Sequence, residues 1–257
     1  MPRRVMTYVV LALAGLLAPP AAALSASGGS GLAPSRGSGA PSNPGSPGVQ
    51  SDNTPVTATS NGITLTTTAS ALLRSRLSFT GNAPAGAAGQ PLVIERLGHE
   101  TNWRWTPTAQ ATINRDGTFS TVWLTNHIGR FEIRAVVGGS SASPAGASSA
   151  PTVATTVYRP SIATLYGPGF FGRRTACGAR LSPSTIGVAN RTLKCGSLVA
   201  IYYRGRTLNV PVIDRGPYAN GADWDLTMAV GKALGIPGTV HIGAVSLSGA
   251  PAPAPAQ

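Results

Sequence analysis

From Asn61 onward the apolar residues arrive in short runs rich in β-branched and aromatic side chains, and each run closes on a turn residue. Ile63–Leu65, Leu77–Phe79, Leu92–Ile94, Ala111–Ile113, Thr118–Trp123 and Phe131–Val136 are separated by Asn82, Gly98, Asp116-Gly117 and Gly129. Alternation with a period of two suits a sheet with one face buried, and turn signals at this spacing point to an all-β sandwich. The expected module covers residues 56–137. Trp103, Trp105 and Trp123 are read as core or inter-sheet packing, with sugar stacking as the alternative. No catalytic constellation occurs in this stretch. By pattern it resembles the small immunoglobulin-like modules of bacterial surface proteins.

A second strand-rich region follows at 159–248. Ser161–Tyr166, Ser197–Tyr203, Arg206–Ile213 and Val240–Leu247 read as strands. Asp225-Leu226-Thr227 is expected to open the one convincing helix, Met228–Leu234, with Gly235 as its stop. One short helix among so many strands predicts a small barrel. Low-complexity tracts frame both modules: a disordered Ser/Gly/Pro spacer at 27–55, a linker at 138–158 and a Pro/Ala tail at 249–257.

Residues 1–26 have the layout of a secretory signal peptide. Arg3 and Arg4 precede the apolar stretch Val5–Ala18, and Ala21–Ala23 or Ala26 offers a cleavage site. An uncleaved anchor is the alternative. After cleavage no membrane anchor is expected, and the protein is assigned to the cell wall or the secreted fraction.

The chain of 257 residues carries 20 Lys+Arg against 8 Asp+Glu, a formal charge of +12. For an exported protein such a balance favours anionic wall polymers. No aromatic-interleaved basic segment or groove-reading helix supports nucleic-acid binding. The 3 histidines are scattered, so neither a metal site nor a cofactor is expected. The 2 cysteines, Cys177 and Cys195, are expected to form one disulfide in an oxidising compartment. A monomer is expected.

Between Arg159 and Gln257 the acids are Asp214, Asp223 and Asp225. Asp214 opens Asp214-Arg215-Gly216-Pro217 directly behind the apolar run Leu208–Ile213, so its carboxylate sits where a strand meets a stiff turn. It is either a turn anchor or a reactive group. As a general acid it would need burial, and the neighbouring Arg215 is expected to oppose protonation.

Four segments in order carry a resemblance: ATLYGPGFFGRRTACG, GVANRTLKCGSLV, VPVIDRGPY and DWDLTMAVGKALG. Together they are similar to the rare-lipoprotein-A-like double-psi β-barrel family, across residues 161–247. The resemblance implies a six-stranded barrel that acts on peptidoglycan glycan strands. In active members it implies a lytic transglycosylase, a lyase that leaves 1,6-anhydro ends and in which one carboxyl can serve as acid and then base. It implies three polar groups, a Glu, a His and an Asp, which map to Ala179, Asn190 and Asp214. Ala179 cannot move a proton and Asn190 can only hydrogen-bond. The expected function is therefore a wall protein that binds or acts on glycan through a reduced site. The alternatives are an active transglycosylase relying on Asp214 and an expansin-like, non-hydrolytic loosening module. Expansins share the barrel, and their likeness brings in Asp225, with Trp224 and Tyr218 as stacking faces beside it. Asn190 and Arg215 complete the expected glycan-binding set.

Overall fold

The structure, a computed structural model, describes residues 48–51, 55–138, 149–218 and 221–247. The expected signal peptide and Pro/Ala tail lie outside the described residues, as do most of the first spacer and part of the linker. Among the described residues no helix is long and apolar enough to cross a membrane.

Strand β1 (Gln50–Ser51) lies inside the expected spacer. The next strands are β2 (Pro55–Ser60), β3 (Ile63–Thr68), β4 (Ser70–Leu72), β5 (Arg76–Asn82), β6 (Pro91–Leu97), β7 (Thr106–Thr112), β8 (Thr118–Leu124) and β9 (Gly129–Val137). Asn61 and Gly62, both at positive φ, make the tight turn that pairs β2 with β3. One sheet runs β2-β3-β5-β8, while β7-β6-β9 belongs to the other. Leu65, Phe79 and Phe119 from the first sheet meet Leu92, Ile94, Phe131 and Ile133 from the second in one buried core. Trp123 is 4% exposed and packs edge-on to Phe131, so it is a core residue.

Beyond this core comes β10 (Thr152–Leu165), which starts inside the expected linker and ends inside the barrel. Its first half pairs with β9 and β4; from Arg159 it pairs with β15 (Val240–Ser246). The change of partner falls at Arg159-Pro160, where the sequence suggested a domain boundary. Pro160 lacks an N–H, which a strand tolerates where its pairing is interrupted. Residues 152–158 are therefore strand rather than linker.

The remaining strands are β11 (Val188–Ala189), β12 (Leu198–Tyr203), β13 (Arg206–Asp214) and β14 (Trp224–Leu226), followed by α1 (Met228–Leu234). The order β14-β11-β13-β12-β15-β10 is closed by pairing of β10 with β14, giving a six-stranded barrel. The β10–β14 and β11–β13 pairs are parallel and the others in the ring antiparallel. Val199, Ile201, Val210, Val212, Leu226 and Ile242 fill the interior. The helix spans the expected Met228–Leu234, but of the expected opening segment only Thr227 caps it. Asp225 and Leu226 are strand, and Thr227 occupies the N-cap with an extended backbone. Leu226 is fully buried in the barrel, and that burial holds the segment in the sheet. Gly235 ends the helix in the left-handed conformation, as expected.

Candidate functional site

Asp214 is the last residue of β13. The barrel register places Ala189 of β11 beside it on one side and beside Asp225 of β14 on the other. Thr164 of β10 lies next to Asp225. Laterally paired residues project to the same face, so the two carboxylates flank the buried Ala189 on one face of the barrel wall.

Three donors hold the Asp214 carboxylate. The Tyr166 hydroxyl donates to Oδ2 at 2.7 Å. The Ala176 N–H donates to Oδ1 at 2.7 Å, and the Arg215 N–H donates to the same oxygen at 2.8 Å. Burial and its bond to Asp214 push the Tyr166 phenol far above its usual range, with the charges of Asp214 and Asp225 adding to the effect. It remains a donor across any physiological pH. Asp225 accepts from the Thr164 hydroxyl at 3.0 Å. Burial pushes its carboxyl up, the Thr164 bond opposes this, and the charge of Asp214 adds to the rise.

The Ala176 donor comes from a folded-back loop. Gly172 and Leu181 pair across it, Thr175 and Ala179 close its tip, and Arg174 bridges Arg180. Cys177 at that tip is bonded to Cys195, with Cα atoms 5.7 Å apart. The expected disulfide therefore anchors the loop that reaches Asp214. Phe170 of the same loop lies edge-on to Tyr166 with ring centroids 5.5 Å apart, and it is 47% exposed.

The other expected residues divide by role. The Asn190 side-chain oxygen accepts the N–H of Thr192 and of Leu193, so it shapes its own loop, while its backbone N–H donates to the Asp214 carbonyl. Arg215 does not face the carboxylate it follows. Its guanidinium donates to the Leu193 carbonyl at 2.8 Å and to Cys195 Sγ at 3.4 Å, tying down the 190–195 loop. The expected opposition of its side chain to protonation at Asp214 has no contact behind it. Trp224 is 8% exposed and belongs to the barrel core, so it offers no open stacking face; Tyr218 is 79% exposed and does. Ala179 contributes no polar side chain near the carboxylates. Asp223 accepts the Ile162 N–H at 2.9 Å and serves the β10–β14 junction.

Tyr166, Thr164 and the Ala176 N–H escaped the sequence reading. The only available signal was a Tyr closing a strand shortly before the Thr-Ala-Cys-Gly turn, which by itself suggests packing. Arg191 also acts through the backbone, donating to the carbonyls of Pro217 at 2.6 Å and Ala222 at 2.9 Å. Among the described residues no cluster of His, Cys, Asp or Glu could hold a metal ion. A hollow of about 470 Å³ around Tyr202–Arg204 and Val240–Gly243 shares no residue with the carboxylate patch.

This barrel, with its Asp at the end of β13, matches the model of the lytic transglycolase family over residues 161–247. Residues 161–247 belong to the RlpA-like double-psi β-barrel family. The RlpA-like segment is 42% identical over 77 residues to the probable endolytic peptidoglycan transglycosylase RlpA of Synechocystis sp., covering 29% of this chain and 24% of that protein. It is 40% identical over 81 residues to that of Aquifex aeolicus, covering 31% and 36%. Against the endolytic peptidoglycan transglycosylase RlpA of Campylobacter jejuni it is 31% identical over 75 residues, covering 28% and 27%. The chain thus spans roughly a quarter to a third of the length of these relatives. A solved biofilm-associated protein domain covers 70% of this chain at 14% identity with a TM-score of 0.23, too low to support any structural argument.

Proposed function

We propose that this chain is a secreted cell-wall protein whose RlpA-like barrel binds peptidoglycan glycan strands at the Asp214 patch, with cleavage slow or absent. The observation that carries this reading is the set of three donors on Asp214, combined with Ala179 and Asn190 at the positions where the family resemblance calls for a Glu and a His. Oδ1 already accepts twice and Oδ2 once, so one lone-pair site, on Oδ2, is left for a sugar hydroxyl. Tyr218, four residues further along the chain, adds an exposed ring. The immunoglobulin-like character of residues 56–137 belongs to the same proposal and is supported by two sheets sharing one core.

A second reading rests on Asp225. Burial and the charge of Asp214 push the Asp225 carboxyl up, and two neighbouring carboxyls in different environments are the arrangement from which acid and base roles arise. On that reading the chain is a transglycosylase in which Asp225 delivers a proton to the leaving oxygen and Asp214 receives one from the attacking sugar hydroxyl.

One experiment separates the two. The full chain, Asp214→Asn and the double variant Ala179→Glu/Asn190→His are incubated with stem-peptide-free glycan strands. Binding is followed by sedimentation, and 1,6-anhydro ends are counted by mass spectrometry. The expected outcome is binding without rapid product by the parent, weaker binding by Asp214→Asn, and measurable cleavage by the double variant. Rapid anhydro product from the parent, lost in Asp214→Asn, overturns the binding reading in favour of the enzyme.

A further inference from the structure

A cleft follows the seam between barrel and sandwich. Its barrel end, about 430 Å³, is lined by Asn190, Arg159, Asp223 and the edge of Trp224. Asn190 lies on its wall, and its backbone N–H donates to the backbone carbonyl of Asp214, the residue that carries the patch, at 3.2 Å. Ile128, Val245 and Ser246 line both this hollow and a smaller one of about 170 Å³, which is walled by His99, Trp103 and Arg130 of the sandwich.

Trp103 is the unusual residue here. Trp123 is buried in the sandwich core, and the Trp105 ring is covered by Arg134 at 4.1 Å. Trp103 instead remains 43% exposed. Its backbone sits at φ 56, directly after Asn102 at φ 51. A bulky aromatic in the left-handed region is an outlier and costs about 1–3 kcal/mol. The fold thus bears strain to hold an indole open at the end of a cleft.

The charges in the cleft are unequally satisfied. Asp223 accepts the Ile162 N–H and faces Arg191 at 3.9 Å, and Glu100 pairs with Arg96 at 3.3 Å. Among the described residues no carboxylate pairs with Arg130 or Arg159, and both are exposed. An open indole face with two unpaired guanidinium groups is suited to a pyranose ring bearing carboxylates.

We propose that this cleft is a second glycan site, holding a further stretch of the strand whose other part occupies the Asp214 patch. Trp103 stacks on a sugar ring, and Arg130 and Arg159 meet carboxylates along the chain. This proposal rests on the reading of the barrel as a glycan-binding module. It makes affinity depend on strand length, because only a long strand reaches both sites.

The test measures binding of the full chain to stem-free peptidoglycan tetrasaccharide and to long stem-free strands. Trp103→Gly and Arg159→Ala are each expected to weaken long-strand binding about tenfold and to leave tetrasaccharide binding unchanged. Asp214→Asn is expected to weaken both. Trp103→Gly relieves the left-handed strain, so it should melt no lower than the parent, which separates lost binding from lost folding. Unchanged long-strand binding in both cleft variants, with Asp214→Asn still weakened, overturns the cleft and leaves the barrel reading intact. An equal loss for short and long strands in the cleft variants also overturns it. Failure of the parent to bind either probe overturns the barrel reading, and the cleft with it.

Discussion

Replacing Asp225 by Asn keeps an oxygen for the Thr164 hydroxyl and removes a charge that burial and Asp214 both disfavour. The folded-state pKa of Asp225 lies above the unfolded value of about 3.9. Between those two values the folded protein holds more protons than the unfolded chain, so stability falls as pH rises through that window. The variant should therefore melt higher than the parent at pH 7, and the difference should vanish below a pH of about 4. Thermal melts across that range check it; an Asp225→Asn variant that melts lower at pH 7 contradicts the buried, unfavourable carboxylate. A buried carboxylate beside a second one is the kind of group from which candidate functional residues are drawn.

The decisive element is β10, whose two halves pair in different modules. Tyr158 lies at the handover, stacked on Tyr202 with centroids 5.2 Å apart and within hydrogen-bond distance of the Thr207 hydroxyl at 3.2 Å. Gly243 of β15 leaves room for it. A Cβ at that position would stand 2.7 Å from Tyr158 Cβ and 3.1 Å from Leu72 Cδ2. Gly243→Ala should then cost about 1–3 kcal/mol by overpacking. Denaturant melts measure this, and a variant as stable as the parent would mean that the seam is loosely packed. The loop closed by Cys177–Cys195 works at the same scale. Its bond fixes the tip that presents the Ala176 N–H to Asp214, so the disulfide serves the site as well as stability.

At the scale of the molecule, one strand shared by two cores couples their unfolding. Val153 and Val157 in its first half belong to one core and Ala163 in its second half to the other, on one continuous backbone. The described part of the chain should unfold in one cooperative transition, and calorimetry tests this by comparing the measured and van't Hoff enthalpies. Two resolved transitions would show that the halves of β10 act independently. The sequence by itself determined most long strands, the stop of α1 at Gly235, the disulfide and the position of Asp214 at a strand end. These follow from period-two patterning, turn chemistry and cysteine arithmetic, which are local. It read residues 138–158 as linker from their composition, whereas 152–158 are strand, because the pairing of β10 with β9 joins segments that no local composition links. It also placed Asp225 in a helix, because the burial that keeps Leu226 in the barrel comes from strands remote in sequence. Only the tertiary structure decided that Tyr166 and Ala176 donate to Asp214, that Ala189 sets Asp214 and Asp225 side by side, and that Trp103 rather than Trp123 is open. Those facts depend on register, parallel pairing and loop closure between distant segments, and no local pattern encodes which distant strand becomes a neighbour.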